Sequence, residues 1–186
     1  YMTLGGVVPN PRLSLVYRGI ELCRSNGIDF ILAVGGGSVI DSSKAISSGM
    51  YYDGDVWDLY LKKDVATRYL PIGCVLTIPA AGSEMSDGSV ITKEEGGLKK
   101  DYCTDDFRCK FAIMNPELTY TVSKFQTGCG IVDIMMHTLE RYLVDVGRNE
   151  FALNMSEGLL KAVIDAGSIA IVDPYNYEAR ATLMIA

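Results

Sequence analysis

Histidine is almost missing from these 186 residues: His137 is the only one. Metal sites built from nitrogen and oxygen usually take at least three protein ligands, so imidazoles alone cannot complete one here. Cysteine is sparse as well. Cys23, Cys74, Cys103, Cys109 and Cys129 are odd in number, scattered and never in Cys-x-x-Cys spacing. Neither a disulfide framework nor a zinc ribbon is indicated, and a reducing cytoplasm fits that usage best. Positive charge is in deficit, with Lys plus Arg 17 against Asp plus Glu 23 and a formal charge of −6. That balance argues against nucleic acid or an anionic membrane surface as the main partner. No apolar run reaches the roughly 20 residues that span a bilayer. What remains is the composition of a soluble globular chain, long enough for one or two domains that lose about two thirds of their unfolded surface on folding.

Hydrophobic periodicity organises the chain. Leu13, Val16, Tyr17, Ile20 and Cys23 recur at helix spacing up to Asn26-Gly27, a usual C-terminal cap. Phe30-Ile31-Leu32-Ala33-Val34 is a continuous apolar run, the mark of a strand buried on both faces. Gly35-Gly36-Gly37-Ser38 follows it directly, and helical period resumes at Val39. A second buried strand is predicted over Ile72–Pro79, running into the small-residue loop Ala80-Ala81-Gly82-Ser83-Glu84. Ser89–Thr92 and Phe111–Met114 read as further strands, with a turn at Glu94-Glu95-Gly96-Gly97. After Asn115-Pro116 the pattern becomes helical throughout. Ser123 with Gln126 starts a helix reaching about Tyr142, a second covers roughly Asn149 to Ala166, and Asp173-Pro174 starts a third. The domain boundary is placed near Pro116, and Trp57 is expected to anchor a core at the start of a short helix.

Two places could carry chemistry. A glycine turn between a buried strand and a helix leaves backbone N–H groups free at the positive end of the helix dipole, which suits a phosphate. Gly36, Gly37 and Ser38 occupy that turn, and Thr77 and Ser83 add hydroxyls at the end of a neighbouring strand. The sequence is not Gly-x-Gly-x-x-Gly, so a simple tight turn is the competing reading. Asp41 suits a ribose or nicotinamide contact better than a phosphate, or is only a favourable charge near a helix start. Lys99, after a turn and before a strand, reaches a phosphate or ribose unless it is simply solvated. The second place is Asp133 and His137, four residues apart and therefore on one face of a helix, where both can hold one metal ion. The alternative is a histidine satisfied by a neighbour. Gly128 and Gly130 in the same helix each cost about 1 kcal/mol relative to alanine, which implies a close approach there. Met135, Met136, Ile134 and Leu139 are taken as packing.

In order and spacing, Gly6-Val7-Val8-Pro9-Asn10-Pro11, Ala33-Val34-Gly35-Gly36-Gly37-Ser38-Val39-Ile40-Asp41-Ser42-Ser43-Lys44, Leu76-Thr77-Ile78-Pro79-Ala80-Ala81-Gly82-Ser83-Glu84, Asn115-Pro116-Glu117-Leu118-Thr119-Tyr120 and Gly130–His137 resemble the iron-containing (group III) alcohol dehydrogenase family, in its butanol dehydrogenase and broad aldehyde reductase branch. The resemblance covers essentially the whole chain. It implies an α/β dinucleotide-binding domain over 1–116, Rossmann-like, with a mostly parallel sheet whose first strand is missing. The start of a truncated all-helical metal-binding domain over 117–186 follows. It further implies that Gly36, Gly37 and Ser38 hold the pyrophosphate of NAD(P), and that Asn10, Asp41, Thr77, Ser83, Lys99 and Leu118 line the cofactor. Asp133 and His137 would be two of four ligands to a divalent metal, Fe²⁺ or Zn²⁺, the other two being histidines past Ala186. The chain starts at Tyr1, and its last helical pattern stops without a glycine, proline or basic signal, so an internal fragment is expected, inactive by itself.

The reaction implied is hydride transfer between NAD(P)H and a short- or medium-chain aldehyde or primary alcohol, with no nucleic acid or membrane partner and a homo-oligomer, a dimer, left open. Two other readings stand beside it. One is a metal- and NAD-using lyase of the dehydroquinate synthase type, for which no matching basic cluster is present. The other is a non-catalytic nucleotide-binding module.

Overall fold

A computed structural model describes residues 1–144, 147 and 149–186. The chain divides into two compact units: residues 1–76 with 82–113, and residues 77–81 with 114–186.

The first unit is α/β. Helix α1 (Leu13–Asn26) turns Leu13, Leu15, Val16, Ile20 and Cys23 inward and stops at Gly27, whose φ of 60° supplies the left-handed cap. Strand β1 (Ile31–Gly35), helix α2 (Gly37–Met50), the short helix α3 (Val56–Tyr60) and strand β2 (Ile72–Leu76) follow. Two further strands, β3 (Gly88–Lys93) and β4 (Leu98–Cys103), form an antiparallel hairpin, and β5 (Ala112–Ile113) completes a parallel sheet of order β1-β2-β5. Asp55 caps α3 by accepting from the Trp57 N–H at 2.9 Å. Trp57 is buried and stacks on Tyr60 at 5.7 Å, and Tyr60 meets Tyr102 edge-on at 5.8 Å, so the expected aromatic anchor is in the core. Tyr60 shares a hydrogen bond of 2.7 Å with the Ser89 hydroxyl, which satisfies its buried phenol.

Three strand expectations differ from the structure. β1 is buried on one face only: Ala33 lies under α2, but Leu32 is 51% and Val34 57% exposed. β1 ends the sheet, and its second face, which continues through Val75 and Ile113 in register, carries no buried layer among the described residues. The strand over Ile72–Pro79 ends at Leu76. Lys99 lies within β4 rather than ahead of a strand; Leu98-Lys99-Lys100-Asp101 is too charged to read as a strand, and only pairing with β3 orders it.

The second unit is helical. α4 (Lys124–Leu143), α5 (Glu150–Val172) and α6 (Tyr177–Ile185) bury Ile134, Val163, Ala166, Ala170, Ala179 and Leu183 together. Ser123, Asn149 and Asn176 cap them, accepting from the N–H groups of Gln126, Ala152 and Ala179 at 3.2, 3.2 and 3.1 Å. α5 therefore runs past the expected end at Ala166. The third helix begins at Tyr177, because Asp173 closes α5 and its side chain accepts from the Tyr175 N–H instead. Arg180, nearly fully buried, donates to the Thr127 hydroxyl at 3.0 Å and to the Pro174 carbonyl at 3.0 Å, tying α6 to α4. No helix among the described residues is long and apolar enough to cross a membrane.

Residues 77–81 belong to this unit because Pro79 lies directly on α4. A Cβ at Gly130 would come within 2.6 Å of the Pro79 carbonyl oxygen. The close approach expected at this helix glycine is thus made by backbone, and Gly128 meets only an ordinary contact of 3.8 Å from Ile171. Gly130→Ala is expected to destabilise the protein by about 1–2 kcal/mol, because overpacking against a carbonyl outweighs the roughly 1 kcal/mol helix gain. A urea midpoint equal to that of the parent would show that the Pro79 segment yields freely.

Candidate functional site

In the α/β unit, β1 ends in Gly35 and the chain turns at Gly36, which precedes α2 with φ −90° and ψ −169° and no capping side chain. The first N–H groups of a helix have no intrahelical partner, and here no side chain covers Gly37 and Ser38 from the cap position. A loop crosses close by. A Cβ on Gly37 would stand 2.9 Å from the Ser83 hydroxyl, so only glycine leaves the turn open beneath that loop. Gly36, Gly37, Ser38 and Ser83 are thereby brought together, and the arrangement suits an anionic group held by backbone N–H and one hydroxyl.

Asp41, one turn into α2, is part of the same assembly. Its carboxylate accepts from the Val90 N–H at 3.0 Å and its own carbonyl accepts from the Ser89 hydroxyl at 2.8 Å, so it fastens the β3–β4 hairpin to α2. Burial raises its carboxyl above the usual range, opposed by the Val90 N–H, by Lys44, by the Ser83 hydroxyl and by Lys99. Asn10 and Lys99 are also brought together, the Lys99 ammonium donating to Asn10 Oδ1 at 2.9 Å. Asn10 has a left-handed φ of 57°, a conformation that asparagine adopts more readily than most residues.

The remaining expected residues are in the helical unit. Thr77 opens the segment that follows β2, and Leu118 sits exposed on the turn Pro116–Thr119, which Asn115 caps by accepting from the Glu117 N–H at 3.1 Å. Asp133 and His137 share one face of α4. Asp133 Oδ1 and His137 Nε2 are 3.9 Å apart with side chains 47% and 46% exposed, so both retain lone pairs for a solvent-accessible cation. A carboxylate and an imidazole are the mixed hard and borderline donors that suit a divalent first-row metal. Among the described residues no group of three or more His, Cys, Asp or Glu side chains gathers that could hold a metal ion. Asp133 opens onto a cleft of about 820 Å³ lined also by Phe125, Cys129, Val132 and Met136. Met136, expected in the core, is exposed on that cleft.

Lys44 has no role in the sequence reading, yet its side chain is wholly buried. The available signal was a lone charge in the run Ile40–Gly49, which otherwise holds only small or apolar side chains after Asp41.

Residues 1–116 match the family described as iron-containing alcohol dehydrogenase. The chain is 45% identical over 184 residues to NADH-dependent butanol dehydrogenase A of Clostridium acetobutylicum, covering 99% of this chain and 47% of that protein. It is 34% identical over 187 residues to the NADPH-dependent aldehyde reductase YqhD of Escherichia coli, covering 98% and 48%. The crystal structure of an NADH-dependent butanol dehydrogenase A from Thermotoga maritima superposes with a TM-score of 0.95 at 38% identity, covering 98% of this chain and 46% of that one. The chain thus spans about half the length of the curated relatives it matches. With an open glycine turn on one unit, a carboxylate–imidazole pair on the other and a family match across 116 residues, this chain belongs to the iron-containing alcohol dehydrogenases.

Proposed function

We propose that the full-length protein carries out hydride transfer between NAD(P)H and a short- or medium-chain aldehyde or primary alcohol, assisted by a divalent metal, Fe²⁺ or Zn²⁺, in the cytoplasm. The observation that carries the reading is the stacked Asp133–His137 pair, with 3.9 Å between donor atoms on an open cleft. A cation held there supplies Lewis acidity toward a substrate oxygen. Asp133 contributes negative charge to the site and His137 a neutral nitrogen; the helical backbone of α4 sets their spacing.

On the α/β unit, the N–H groups of Gly37 and Ser38 and the Ser83 hydroxyl hold the cofactor pyrophosphate, and Lys99, oriented by Asn10, adds a cation beside it. Asp41 completes the lining on this unit, and Thr77 and Leu118 are the cofactor residues of the helical unit. The nicotinamide is the hydride carrier, and these residues bind and orient it. The names of the relatives, NADH-dependent butanol dehydrogenase and NADPH-dependent aldehyde reductase, support the reaction class and leave both dinucleotides in play.

The test is metal analysis of the full-length gene product together with butanal reduction, using NADH and NADPH in turn. Bound divalent metal with turnover on one of them is expected. Dinucleotide binding with neither metal nor turnover would favour a nucleotide-binding module instead. The 186 residues alone, with two ligands in the proposed shell, are expected to show no butanal reduction, and measurable turnover by them would overturn the four-ligand assignment.

A further inference from the structure

A lysine ammonium buried without a carboxylate against it is costly, because desolvation is offset only if every N–H finds an acceptor. Lys44, on α2, meets that condition. Its Nζ donates to the carbonyls of Ser83, Ser86 and Gly88 at 2.8, 2.9 and 2.8 Å and lies 3.0 Å from the Ser86 hydroxyl, with no exposed surface left. Three N–H donors face four oxygens, and all four belong to one segment, Ser83–Gly88. That segment leaves Gly82 at a left-handed φ of 69° and contains only a single turn of its own, the Met85 and Ser86 N–H groups bonding to the Gly82 carbonyl. A methionine would fill the same volume without the desolvation cost. What the ammonium adds is a fixed point for three carbonyls, and hence for Ser83, whose hydroxyl stands over the Gly37 turn with 2.9 Å of clearance for a would-be Cβ.

We propose that Lys44 is a positioning residue for dinucleotide binding: its ammonium clamps the Ser83–Gly88 segment to α2 so that the Ser83 hydroxyl is presented at the open glycine turn. This rests on the reading that Gly36, Gly37, Ser38 and Ser83 hold the cofactor pyrophosphate. Lys44 itself is out of reach of any ligand, so it acts through Ser83. Its charge is balanced at longer range by Asp41, one turn earlier on the same helix, whose carboxylate holds the β3–β4 hairpin. The Ser83–Gly88 segment and the first residues of β3 that follow it are thereby fixed to α2.

The test uses NADH as probe and the full-length protein. Lys44→Met should raise the NADH dissociation constant about fivefold while kcat at saturating NADH falls less than about twofold, a loss of binding rather than chemistry. Amide exchange should accelerate over 82–88 and stay slow in α2. Ser83→Ala should cost about fivefold in the parent and less than about twofold on top of Lys44→Met, because the second change removes a contact already lost. If Lys44→Met does not fold, Lys44→Gln, which is shorter and reaches a single carbonyl, takes its place, with about a threefold weaker affinity expected. An unchanged dissociation constant, or fully additive losses, would overturn the role of Lys44 and leave it a packing residue. The underlying cofactor reading fails separately: Gly37→Val would then bind NADH as the parent does. Weakened binding in Gly37→Val with parental binding in the Lys44 variant sinks only the clamp.

Discussion

Asp133→Ala in the full-length protein is expected to lower aldehyde turnover by at least about 10³-fold while NADH affinity changes less than about twofold. Asp133 contributes the negative charge of the pair on α4, and His137 by itself offers a single neutral nitrogen, too little to retain a divalent ion in a half-exposed setting. Metal content should fall with turnover, and added metal should restore little. The fold should survive, since a contact between two side chains nearly half exposed and 3.9 Å apart contributes at most about 1 kcal/mol. Asp133→Asn keeps the shape and removes the charge; it should sit near the alanine variant if charge is what holds the cation. Dinucleotide binding and turnover falling together would mean that Asp133 serves the nucleotide instead. Retention of metal alongside lost turnover would assign it to substrate rather than to coordination.

Much of each candidate site was visible in sequence, because its parts lie at fixed local spacings. A strand, a glycine turn and a helix follow one another within Ile31–Met50, and a carboxylate and an imidazole stand four residues apart on α4. Local periodicity suffices for such features. Long-range partners were not visible. Lys44 meets its acceptors 39 to 44 residues later, and nothing in the chain between announces that Ser83, Ser86 and Gly88 will turn their carbonyls toward it. The glycine at 130 was read correctly as a place of close approach, but the neighbour is a carbonyl about 50 residues upstream, Pro79. β4 escaped notice because its order comes from β3 alone: Leu98-Lys99-Lys100-Asp101 has the composition of a loop, and only Tyr102 turns inward. The exposed face of β1 escaped for the opposite reason, since an apolar run states what a strand tolerates and not what covers it.

Gly37→Val should leave the fold intact and weaken NADH binding about 100-fold, close to 2.7 kcal/mol. The backbone at Gly37 lies inside the first turn of α2, so a side chain there meets no conformational penalty from a positive φ, and thermal stability is expected to change little. The cost falls on space and on the N–H groups. A Cβ would already sit 2.9 Å from the Ser83 hydroxyl, and the two methyls of valine extend farther, displacing that hydroxyl and shielding the first-turn N–H groups from a phosphate. Lys44 makes relief difficult, because it pins the main chain at Ser83 and again at Ser86 and leaves the hydroxyl as the group most free to rotate. Gly37→Ala should therefore fall between, with rotation of Ser83 absorbing part of the strain. The comparison is made by fluorescence titration with NADH and by the NADH dependence of butanal reduction. A variant that binds NADH like the parent would show that the pyrophosphate does not lie on this turn. Weakened binding in valine but not in alanine would locate the phosphate on the far side of Ser83.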